Sequence, residues 1–141
     1  MKLPPLLFDR PRSLQVLLAV VVPVVYGAIT GIFLGISEPV YVVLSLLGVL
    51  GGVGAGIEHL GAREGALRGV FAGAMFGGSI LIAHEIAGNE AKADLPDPAI
   101  VLVVVTVVLG ALFAAIGGWI RQREAAKGVP VSDHEVPGPL G

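Results

Sequence analysis

Two groups of ionisable residues stand in a chain that is otherwise mostly apolar. The first is Glu58, His59, Arg63, Glu64 and Arg68, all between positions 58 and 68. A carboxylate beside an imidazole can exchange protons near neutral pH, where an unperturbed histidine titrates. Glu64 and Arg68 stand four apart, the spacing at which side chains meet along a helix face. The group therefore reads as a candidate gate or ion-access cluster. Its plainer reading is an interfacial salt-bridge network, with Arg63 or Arg68 neutralising Glu58 across a short loop.

The second group is Glu38, His84 and Glu85, near the loop acids Glu90, Asp94 and Asp97. Imidazole and carboxylates together suit several divalent metals. His84 and Glu85 are sequence neighbours, however, and diverge by about 100° on a helix. This set is a candidate outer polar cluster, and neither a metal site nor a cofactor is expected. His59 and His84 belong near opposite ends of one hairpin, and His134 lies in a tail rich in Pro and Gly.

The elements that position these residues are apolar runs at about 14–36, 40–60, 66–88 and 99–120. Each has roughly the 20 residues that cross a hydrocarbon core at about 1.5 Å per residue. Only helices satisfy their own backbone groups in lipid, so the many Val and Ile residues do not indicate strands. The expected fold is all-α: a bundle of four transmembrane helices, read as two parallel-repeat helical hairpins. Residues 1–13 form a lead and 125–141 a disordered tail. Lys2, Arg10 and Arg12 before an apolar run resemble a signal peptide. The run is too long for one, and no small-x-small cleavage site follows, so a retained first span is expected.

Composition supports this reading. Hydrophobic residues make up 55% of the 141 and charged residues only 14%, against about 25% charged in a soluble domain. Lipid must cover what polar groups cannot. A net charge of −2 gives no sign of nucleic-acid binding. Cysteine is absent, which removes thiolate chemistry. No phosphate-binding loop, nucleophile elbow or zinc-protease helix occurs, and Ser45, Ser79 and Thr106 have no ionisable neighbour in sequence. No enzyme is expected.

Basic residues set orientation. Lys2, Arg10, Arg12, Arg63, Arg68, Arg121, Arg123 and Lys127 fall on one side of a four-span layout, and only Lys92 falls on the other. The positive-inside rule then places both termini in the cytoplasm of a bacterial-type inner membrane. Tyr41 and Trp119 are read as interfacial anchors.

Internal similarity and small residues complete the reading. Glu38-Pro39 aligns with Asp97-Pro98, and Val49-Leu50-Gly51 with Val108-Leu109-Gly110, which points to a duplicated hairpin with an acid-Pro helix start in each half. Glycines recur at four-residue spacing: Gly27, Gly31 and Gly35; Gly48, Gly52 and Gly56; Gly65, Gly69, Gly73 and Gly77. Such stripes let helix backbones approach closely, within one bundle or between subunits. The expected partners are membrane lipid and either a second copy or another membrane protein. The functional expectation is an oligomeric channel or transporter subunit; the alternative is a non-conducting accessory or scaffold subunit of a larger membrane complex.

Overall fold

The computed structural model describes residues 3–128. Four helices are long and apolar enough to cross a membrane: α1 (Arg12–Leu34), α2 (Glu38–Ile57), α3 (Ala62–Ala87) and α4 (Ile100–Lys127). A short 3₁₀ turn, Leu7–Asp9, precedes α1. The described residues contain no strand, as expected of a chain whose backbone must be satisfied within each segment.

The helix ends follow local chemistry. Ser37 is extended and Glu38-Pro39 opens α2, where the missing proline N–H costs nothing and the carboxylate favours the helix dipole. Gly61 turns the chain into α3 at φ 108°, a conformation that favours glycine. Gly88 closes α3 in the left-handed region at φ 68°, its N–H donating to the His84 carbonyl at 3.2 Å. The expected matching start of the fourth span is not found: α4 begins at Ile100, so Asp97-Pro98 lies ahead of its first turn. Ala93 and Leu95 in the preceding loop pack on the core, and this draws the loop over the bundle end.

Helix α4 also continues beyond the expected limit at Ile120. Its charged extension holds a Lys127–Glu124 pair at 2.6 Å, and Arg123 lies 4.0 Å above the exposed Trp119 ring. The expected disordered tail therefore begins inside a helix, and its remainder, residues 129–141 with His134, lies outside the described residues.

Helix α3 is the centre of the bundle. It packs along α4 and against α1, while α2 rests mainly on α4; the α1 and α4 backbones make no close approach, and α2 meets α1 and α3 only lightly. The two hairpins are thus packed unlike each other, tight for α3–α4 and loose for α1–α2. Glycine explains the tight pair. Gly65, Gly69 and Gly73 lie directly on the backbone of Ala114, Gly110 and Thr106, a four-residue ladder on each helix with no room for a Cβ. The Thr106 hydroxyl, 2.9 Å from the Gly73 and Val103 carbonyls, ties the same seam. Gly27 and Gly31 admit the α3 backbone at Phe76 and Ile80, and Gly56 and Gly117 seat α2 on α4. These glycines are therefore used within one chain. Gly51, Gly54 and Gly78 have no neighbour within 4 Å of where a Cβ would stand.

Leu34, Tyr41, Phe76 and Ile80 form the apolar core at the end away from the termini. Tyr41 is accordingly inside the bundle rather than an interfacial anchor, because its place near the start of α2 directs it at Leu34 and Phe76 instead of outward.

Candidate functional site

The site begins with a proline inside α1. Pro23 has no N–H and its ring crowds the carbonyl four residues back, so a regular helix cannot run through it unchanged. The chain responds with a π-helical turn at Leu17–Val21. Within it the Val22 N–H donates to the Leu17 carbonyl, five residues back. The Leu18 carbonyl then loses Val22 as its partner, and the next candidate, residue 23, is the proline. A free acceptor is left facing the bundle.

Arg68 fills that gap. Its Nη2 donates to the Leu18 carbonyl at 2.8 Å. The residue lies six positions into α3, about 9 Å along the axis at 1.5 Å per residue, and is only 8% exposed. Its Nε and Nη1 are buried with no hydrogen-bond partner. Among the described residues no carboxylate lies within 4.0 Å of it. A guanidinium with unused donors in an apolar surround is costly, since each unsatisfied buried group loses about 1–3 kcal/mol and charged groups more.

Arg68 borders a cleft of about 420 Å³ between α1, α2 and α3, with Thr106 and Gly110 of α4 at its back. The other walls are mostly apolar, among them Val22, Tyr26, Leu47 and Phe76. The Tyr26 hydroxyl donates to the Leu44 carbonyl at 2.9 Å and joins α1 to α2 at one end of the cleft. Toward the termini the two helices diverge. A second hollow, about 430 Å³, lies on the other side of Arg68 between α1 and the outer face of α3.

The remaining members of the first sequence group are placed differently from expectation. Glu58 is neutralised by Arg10 at 2.8 Å, not by Arg63 or Arg68. The Leu7 N–H also donates to the Glu58 carbonyl at 3.0 Å, and Phe8 meets the His59 ring edge-on at 5.7 Å. Arg121 donates to the carbonyls of Ile57 and Pro4. The segment before α1 is thus fastened across the α2–α3 turn. His59 is buried with Nδ1 3.2 Å from the Ala55 carbonyl, so it and Glu58 have separate partners. The expected Glu64–Arg68 pair does not form: Arg68 turns into the bundle while Glu64 stays exposed, 3.9 Å from Arg63. The Arg63 side chain is 87% exposed, because five residues of helix separate it from Arg68 by about 140°.

In the second group, Glu38 and Glu85 are exposed, and His84 is half-buried with Nδ1 unpartnered. Among the described residues no three ligating side chains come close enough to hold a metal ion. The structure does not bring this cluster together.

Sequence reasoning missed Arg10 and Arg121, which it counted only for orientation, and the Leu18 carbonyl. Pro23, within an apolar run, was the available signal for the last. No known protein family matches the chain, and neither a curated protein nor a solved structure does.

Proposed function

We propose that the chain is a small transporter subunit of a bacterial-type cell membrane that binds its substrate in the cleft beside Arg68. The observation that carries this reading is the buried Arg68 guanidinium, without a carboxylate partner, beside an open apolar cleft. Ionisable residues within membrane spans are costly and by default candidates for function, and Arg68 stands within the second turn of α3. The backbone contact between α3 and α4 leaves no water-filled path between those helices. Binding and release through the α1–α2 side therefore suits the fold better than a pore through one chain, and any channel would run between copies. Arg10, Arg12, Arg63, Arg121, Arg123 and Lys127 lie toward the terminal face, which supports placing that face in the cytoplasm.

The test is flux in liposomes containing the purified chain alone, against a panel of inorganic anions, organic anions and labelled anionic lipids. Wild type moves at least one of them, Arg68→Gln slows it by about tenfold or more, and Arg63→Ala leaves it unchanged. Flux no greater than in empty liposomes across the panel would sink the reading.

A second reading, an accessory subunit of a larger complex, rests on Gly51 and Gly54. Both leave the α2 backbone open to another helix. It expects Gly54→Leu to release a co-purifying membrane protein from native membrane, and is lost if nothing is released.

A further inference from the structure

We propose that the cleft beside Arg68 holds an anionic membrane lipid, with one acyl chain along the apolar walls and the headgroup against the guanidinium. The inference rests on the transporter reading and names its substrate class.

Three observations lead to it. First, no carboxylate lies within 4.0 Å of Arg68 among the described residues: it is 8% exposed, one nitrogen is committed to Leu18, and two have no hydrogen-bond partner. Of the two carboxylates in the 58–68 group, Glu58 is held by Arg10 at 2.8 Å and Glu64 is exposed, 3.9 Å from Arg63. Basic pockets between transmembrane helices on the cytoplasmic side are suited to anionic headgroups. Second, the cleft itself is apolar. A bare inorganic ion would lose its hydration along walls made by Val22, Tyr26, Leu47 and Phe76 and gain nothing there. An acyl chain fits those walls, and about 420 Å³ falls within the range of ordinary ligand sites. Third, the access route is lateral. The segment before α1 is fastened across the terminal face by Arg10–Glu58 and by Arg121, which donates to the Pro4 carbonyl. The α1–α2 side has little helix contact below the Tyr26–Leu44 bond. Gly51 adds no side chain to that opening. A molecule already in the bilayer reaches Arg68 by this side. The unpartnered Nε and Nη1 are buried, so headgroup contact requires the guanidinium to turn about its Leu18 bond.

The test is native mass spectrometry of the full chain released from nanodiscs containing equal phosphatidylglycerol and phosphatidylcholine, run beside the flux assay. Wild type is expected to retain one phosphatidylglycerol and little phosphatidylcholine. Arg68→Gln, which removes the charge and keeps a polar side chain, is expected to lose that lipid by about tenfold, and Arg63→Gln to keep it. Gly51→Phe, which fills the opening and leaves Arg68 in place, is expected to lose it too; this second variant decides the matter if Arg68→Gln does not fold. Equal retention of both lipids by wild type overturns the proposal, as does undiminished phosphatidylglycerol on Gly51→Phe or on folded Arg68→Gln. Flux without a retained lipid overturns the lipid proposal and leaves the transporter reading. A retained lipid without flux of any panel member does the reverse.

Discussion

Replacing Gly69 by alanine should separate the two central helices, and the size of the effect follows from what the new methyl group would meet. A Cβ there falls on the Gly110 carbonyl and within 2.8 Å of the Ala111 Cα. These are backbone atoms, which no rotamer change can move aside. Restoring an ordinary contact of about 3.5–4.0 Å shifts one helix from the other by more than about 1 Å, and a gap of even about 1 Å forfeits up to about half of each neighbouring dispersion contact. Overpacking costs about 1–3 kcal/mol. The backbone obstruction places Gly69→Ala at the upper end of that range, offset by about 1 kcal/mol from alanine's better helix propensity. The net loss is about 2 kcal/mol. Gly78, on the same helix, meets nothing within 4 Å, so Gly78→Ala should be neutral or gain up to about 1 kcal/mol. The two single-methyl variants should differ by about 2–3 kcal/mol, roughly 30- to 150-fold in the folded-to-unfolded ratio. Reversible unfolding in mixed micelles of rising dodecyl sulfate fraction measures this. Equal loss in both variants would refute the packing argument, and would mean that another helix covers Gly78.

Two further outcomes follow. Arg10→Ala removes the partner of Glu58, whose side chain is 13% exposed. Hydrogen bonds to charged groups contribute about 1.5–3 kcal/mol, so the segment before α1 should be cleaved faster in limited proteolysis, while Arg12→Ala, at an exposed position, should leave the rate unchanged. Pro23→Ala restores an N–H that lets α1 run as regular helix, with Val22 bonding Leu18 in place of Arg68. The gain of a regular helix is offset by the bond that Arg68 loses, so stability should change little, yet phosphatidylglycerol retention should fall several-fold; unchanged retention would separate the π-helical turn from the site.

The number of helices was legible because lipid imposes length and apolarity on every span, and these can be counted along a chain. The Gly65–Gly69–Gly73 stripe was legible as a packing code. Which surface it met was not: Gly110, Ala114 and Gly118 form a weaker stripe at the same spacing, but spacing records one side of a contact and does not pair the two. Arg68 was singled out, but as a rim residue paired with Glu64 or Glu58. Its inward turn depends on the Leu18 carbonyl, 50 residues earlier, freed by a proline in another helix. Glu58 likewise found its partner in Arg10, across a distance that local spacing cannot reveal. Tyr41 shows the opposite error: an aromatic at a helix end fits an interfacial belt, and only tertiary packing turns it to the core.

The most direct test of the account is occupancy of the cleft, and the absence of native cysteine makes it accessible. Ala72 lines the cleft, so Ala72→Cys places one thiol there, to be reacted with a membrane-permeant maleimide in liposomes with and without phosphatidylglycerol. The account predicts that phosphatidylglycerol slows labelling severalfold and that adding Arg68→Gln abolishes this protection. Labelling at one rate in both lipid compositions, with or without Arg68, would contradict it.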